Sequence, residues 1–146
     1  MDDQIKITVK KAFSNSFVFY LKTHFYHWNV EGRMFAQDHE LFGKIYAEVQ
    51  ESLDAFAEHI RTLDSYAPGT FDRFKEFSNI QQESNVPSAE QMYANLLDDN
   101  KKVIVSLNDA FAELEQRNNQ GFADFIAGRI DAHKKHEWML RSTLKS

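Results

Sequence analysis

From Gln4 to Trp28, apolar side chains return every three or four positions: Ile5, Val9, Phe13, Phe17, Tyr20, Leu21 and Phe25. That spacing lines one face of an α-helix; a half-buried strand would alternate instead. The pattern resumes at Met34 and runs to Ser65 through Leu41, Ile45, Val49, Leu53, Phe56, Ile60 and Leu63, and the stretch from Ala67 to Thr70 stops it. Phe71 to Phe77 reads as a short amphipathic helical turn. Ser88 is a good N-cap, and Gln91 completes a capping-box pattern. A third long helix continues from there through Met92, Leu96, Val103, Leu107, Phe111 and Leu114 to about Gln116. Arg117 to Gly121 breaks it, and a last long helix from about Gly121 to Leu144 carries Phe122, Phe125, Ile126, Ile130 and Trp138.

Short turns join the first long helix to the second and the third to the fourth, so each pair should lie antiparallel. A connection of about 22 residues joins the two pairs, enough to cross the length of a bundle. The expected fold is all-α: two hairpins with one crossover, a ferritin-like four-helix bundle with a short extra helix in the long connection. One domain over residues 1–146 accounts for the whole pattern.

Composition narrows the class. With 42% hydrophobic and 27% charged residues the chain is globular, and thirteen Phe against two Pro and five Gly fit long regular elements. The absence of cysteine excludes disulfides, zinc ribbons, iron–sulfur clusters and thiol catalysis, and fits a reducing cytoplasm. No apolar run approaches the ~18 residues of a membrane span, and the first residues do not resemble a signal peptide. The net charge of −5 argues against a stand-alone nucleic-acid binder. There is no Gly-rich phosphate loop and no nucleophile elbow.

The chemistry concentrates at His27 and His39, on either side of Gly32, and at Asp54 and Glu58. Imidazole and carboxylate together suit a transition metal. Iron inside a single ferritin-like bundle is usually held by Glu-x-x-His motifs, and this chain has none. Asp54 and Glu58 share one helical face. His39 lies fifteen residues before Asp54, roughly 22 Å along the axis. His27 sits at the end of the first helix, close to His39. The histidines and the carboxylates are therefore two half-sites. Two copies of the second helix packed antiparallel about a two-fold axis would unite them twice, with the axis near Tyr46 and Ala47.

These residues, read as His-Trp-Asn-Val-Glu-Gly from His27, Asp-His-Glu-Leu-Phe from Asp38 and Asp54 to His59, resemble the Dps family of mini-ferritins, as does the C-terminal segment from His133 to Leu144. The resemblance implies a hollow dodecamer with ferroxidase centres at two-fold interfaces. It implies His27, His39, Asp54 and Glu58 as iron ligands and Trp28 as the tryptophan beside the metal, where it would absorb radical equivalents. The implied reaction is oxidation of Fe(II), preferentially by hydrogen peroxide, with ferric mineral stored in the cavity. Zinc fits the same ligands. Asp124 and Asp131 would line a three-fold pore.

The chain departs from the family in three places. Gly43 stands where a further acid is common, although glycine inside a helix costs about 1 kcal/mol relative to alanine. His59 replaces an arginine. The basic residues near the N-terminus, Lys6, Lys10 and Lys11, are a meagre substitute for a lysine-rich DNA-binding tail. The alternative function is an architectural DNA-binding or structural shell with weakened oxidation, and Gly43 is its best argument. Trp28 reads first as a packing anchor, and His24, His133 and His136 as surface or inter-helix residues. His133 and Glu137 could form a minor metal pair.

Overall fold

The structure, a computed structural model, describes residues 2–145. Its helices are α1 (Asp2–Asn29), α2 (Phe35–Thr62), α3 (Phe71–Phe77), α4 (Ala89–Gln116) and α5 (Gln120–Leu144), and no strand occurs among the described residues. The expected all-α bundle with a short helix in the long connection is what forms.

The boundaries have local causes. Gly32, at φ 125°, makes the α1–α2 turn in a conformation that side chains with a Cβ avoid. The second helix ends three residues earlier than its apolar pattern suggests, because Asp64 adopts a left-handed conformation (φ 57°) and its N–H closes on Arg61. Asn118 (φ 58°) ends α4 in the same way, and the Asn119 side chain caps α5 by accepting from the Phe122 N–H. Thr70 caps α3. Ser88 accepts from the Gln91 N–H at 3.1 Å, but the Gln91 side chain bonds forward to Asn95, so only half of the capping box is made.

One core cluster draws on all five helices, with Phe13, Phe19, Tyr26, Phe42, Phe56 and Phe122 buried in it. α1 packs against α2 and α4, α4 against α5, and α3 against α1. The Tyr93 hydroxyl donates to buried Asp38 at 2.7 Å, and Asn95 donates to the Tyr26 hydroxyl at 3.0 Å. These bonds place the start of α4 beside the start of α2 and the end of α1. α4 therefore runs parallel to α2 and antiparallel to α1, the turns of the two hairpins lie at opposite ends of the bundle, and residues 63–88 must cross its length.

A polar network lies between α2, α4 and α5. Arg129 grips Glu48 through both terminal nitrogens, at 2.5 and 3.0 Å, and His136 donates to Glu48 at 2.8 Å. His133 donates from Nδ1 to Asn100 at 2.7 Å and accepts from Arg129 at Nε2, which requires the neutral ring. Burial, then the charges of Arg129 and His136, hold the His133 pKa well below its ordinary 6.5. The sign follows: below about pH 6.5 the unfolded chain takes up a proton that the native state refuses, so stability falls as pH drops, by up to about 1.4 kcal/mol per pH unit. A His133→Gln variant is expected to show a shallower loss of denaturation midpoint between about pH 7 and about pH 5.5. An unchanged slope would assign that acid sensitivity to other groups. His133 and His136 are thus inter-helix residues; neither is at the surface. The His133–Glu137 pair that the spacing allowed is not formed, because Glu137 faces Lys134 and Arg141 instead.

Candidate metal centre

His27 lies in the last turn of α1 and His39 in the second turn of α2, and the tight turn at Gly32 brings them face to face. Their rings stack with centroids 3.8 Å apart and planes 16° apart. His27 Nδ1 lies 2.6 Å from the His39 carbonyl oxygen, and His39 Nδ1 lies 2.7 Å from the His27 carbonyl oxygen. A carbonyl only accepts, so both Nδ1 atoms carry the proton and both lone pairs sit on Nε2. Pinning one ring nitrogen on a backbone carbonyl is how proteins orient imidazoles for a metal.

Asp54 and Glu58 are exposed on α2 and make no hydrogen bond or ion pair among the described residues. The helix is continuous from Phe35 to Thr62, which keeps Asp54 roughly 22 Å and Glu58 roughly 28 Å from His39 along the axis. Among the described residues, no three His, Asp or Glu side chains form a group able to hold a metal ion. The four residues singled out by sequence are thus gathered as an imidazole pair and a carboxylate pair, at separate levels of one helix. The donor set fits a metal of intermediate hardness: two imidazoles whose Nε2 atoms are left for a ligand, and two carboxylates with no cation partner among the described residues.

A third histidine was not identified as part of this region from sequence. His24 Nδ1 contacts the Tyr20 hydroxyl at 3.1 Å, and the ring lies 3.7 Å from Tyr46 and 3.9 Å from Trp28. Burial, then nearby His27, lowers the His24 pKa. The i, i+3, i+4 run of His24, His27 and Trp28 on one helix carried the signal. Trp28 differs from its reading as a packing anchor: it is 59% exposed, with one face against His24. His59 stacks on Phe122 at 4.8 Å, so it faces α5 and turns away from Glu58. Asp124 and Asp131 are both exposed on α5, and Asp131 pairs with Lys135 at 3.7 Å.

A helical bundle of two hairpins with one crossover and no Glu-x-x-His motif defines a class: a ferritin-like subunit that lacks that motif's metal site in its core. A family model described as the ferritin-like domain matches residues 9–146, and the chain belongs to that family. Within it the likeness is to the Dps proteins. The DNA protection during starvation protein of Brevibacillus brevis is 26% identical, over 97% of this chain and 95% of that protein. The crystal structure of Dps from Staphylococcus aureus superposes with a TM-score of 0.92 at 27% identity, covering 99% of this chain and 97% of that one. An uncharacterised low temperature-induced protein of Nostoc sp. is 35% identical, over 90% of this chain and 75% of that protein. Among the described residues, no helix is long and apolar enough to cross a membrane.

Proposed function

We propose that this chain is a mini-ferritin that oxidises Fe(II), preferentially with hydrogen peroxide, at centres shared between two subunits, and that it stores the ferric product inside a hollow oligomer. The observation that carries the reading is the state of the two half-sites. Each imidazole is held through Nδ1 on the other's carbonyl, leaving Nε2 without a protein partner among the described residues, and the carboxylate pair on the same helix has no partner among the described residues. An antiparallel α2–α2 contact about a two-fold axis completes both. The predicted axis falls beside Ala47, which is exposed and small enough for close helix approach. Twelve subunits and a cytoplasmic setting are part of the proposal.

At such a centre His27 and His39 would supply neutral nitrogen donors, and Asp54 and Glu58 from the partner would stabilise the ferric product. Two Fe(II) give one electron each to peroxide; with two protons, the products are two Fe(III) and two waters. Trp28, exposed, packed against His24 and next in sequence to the proposed ligand His27, would meet one-electron oxidants that escape. Zinc would compete for the same donors. Asp124, which forms no ion pair among the described residues, is the better of the two acids for a cation-attracting pore.

The test is anaerobic addition of Fe(II) and peroxide to the purified oligomer, followed by gel filtration. Peroxide consumption well above the protein-free control, with iron retained in a large assembly, is the expected result. A normal assembly that consumes no peroxide would overturn it and leave a structural shell.

A further inference from the structure

Gly43 sits in the interior of α2, where glycine costs about 1 kcal/mol relative to alanine. No backbone reason compensates, because its φ is not in the left-handed region. The reason is a neighbour. A Cβ built on Gly43 would lie 2.9 Å from His27 Cε1 and 3.1 Å from His27 Nδ1. By contrast, a Cβ on Gly128, also inside a helix, would meet nothing within 4 Å.

The His27 ring cannot step aside without loss. Its Nδ1 is bonded to the His39 carbonyl, and its face is stacked on His39. Tyr46 closes a further side, with ring centroids 5.2 Å apart. In the helical ladder the same His39 carbonyl takes the Gly43 N–H. The imidazole therefore lies directly over the rung that joins residues 39 and 43, in space that any other residue at 43 would claim. A side chain there would push the ring off its carbonyl and release the hydrogen bond that fixes its tautomer.

We propose that Gly43 is a positioning residue of the metal centre: its missing side chain is what lets His27 close onto His39 as an oriented pair. A consequence is one tightly held metal ion per centre, at the imidazole pair, because residue 43 offers no donor for a second. This rests on the proposed centre. It turns what looks like a damaged site into one built around a different residue.

The test is Co(II) titration of the whole oligomer, wild type beside Gly43→Ala and a His27→Ala/His39→Ala variant, read by visible absorption and by metal bound after gel filtration. Wild type is expected to bind one Co(II) per subunit tightly. Gly43→Ala is expected to bind at least tenfold more weakly with an altered spectrum, while its thermal midpoint stays equal or rises. Tight binding by Gly43→Ala with an unchanged spectrum would overturn the positioning role, and two tight ions per wild-type subunit would overturn the single-ion centre. Loss of Co(II) binding in the histidine variant is expected; if that variant binds as wild type does, the centre itself is misplaced, a failure distinguishable from that of Gly43.

Discussion

Replacing Asp54 with Asn and Glu58 with Gln together is expected to lower peroxide-driven Fe(II) oxidation by roughly a hundredfold or more, since even residues that only support a ligand cost 10–100-fold. Folding should be nearly untouched. Both side chains are exposed and unpaired among the described residues, and isosteric changes at such positions stay within about 0.5 kcal/mol. Assembly should be retained, because the substitutions remove two like charges and no buried surface. An oxidation rate equal to wild type would remove these carboxylates from the site.

The same variant tests sharing between subunits. Pair it with a His27→Ala/His39→Ala chain in one dimer. One centre then carries both defects, and the other draws intact histidines from one chain and intact carboxylates from its partner. Random pairing of equal amounts makes about a quarter of all centres wild type, and activity should recover toward that fraction. Verified hybrids without recovery would mean that each chain supplies its ligands alone, and the geometry of α2 gives no way for one chain to do that.

Helix periodicity made the bundle legible, because five amphipathic segments each need a partner for one face. Helix ends were less so: α2 stops at Asp64 and α4 at Asn118 through left-handed residues whose conformation no apolar pattern marks. The separation of the histidine pair from the two carboxylates was legible because fifteen residues of helix is a length. The hydrogen bonds that free both Nε2 atoms were not, since they run to backbone carbonyls and leave no trace in side-chain identity. Gly43 was visible only as a deficit, because what fills its space comes from another helix. The network around Glu48 escaped for the same reason, as its partners lie more than eighty positions away. A signal did exist on α5: Arg129, His133 and His136 follow i, i+4, i+7 spacing between the buried Ile126 and Leu140, so polar side chains occupy core positions.

That network carries the second large effect. Arg129→Met is expected to destabilise the subunit by about 2 kcal/mol, seen as a fall of roughly 4–8 °C in thermal midpoint. Breaking a fully buried ion pair typically costs 3–5 kcal/mol because a charge is left without its partner. Here the Glu48 side chain is 39% exposed, so water compensates in part and the figure is reduced. Burial alone would raise the Glu48 pKa, but the bonds from His136 and Arg129 outweigh it and hold the carboxyl well below its usual range. Glu48 therefore contributes stability above its unfolded pKa, and that contribution is lost as pH falls through the folded value. With Arg129 removed the folded value rises, so acid unfolding should begin at a higher pH. Adding Glu48→Met should restore part of the lost stability, because an apolar pair needs no counter-charge. An Arg129→Met midpoint within about 0.5 kcal/mol of wild type would mean that Glu48 is hydrated freely and that the ion pair adds little to the fold.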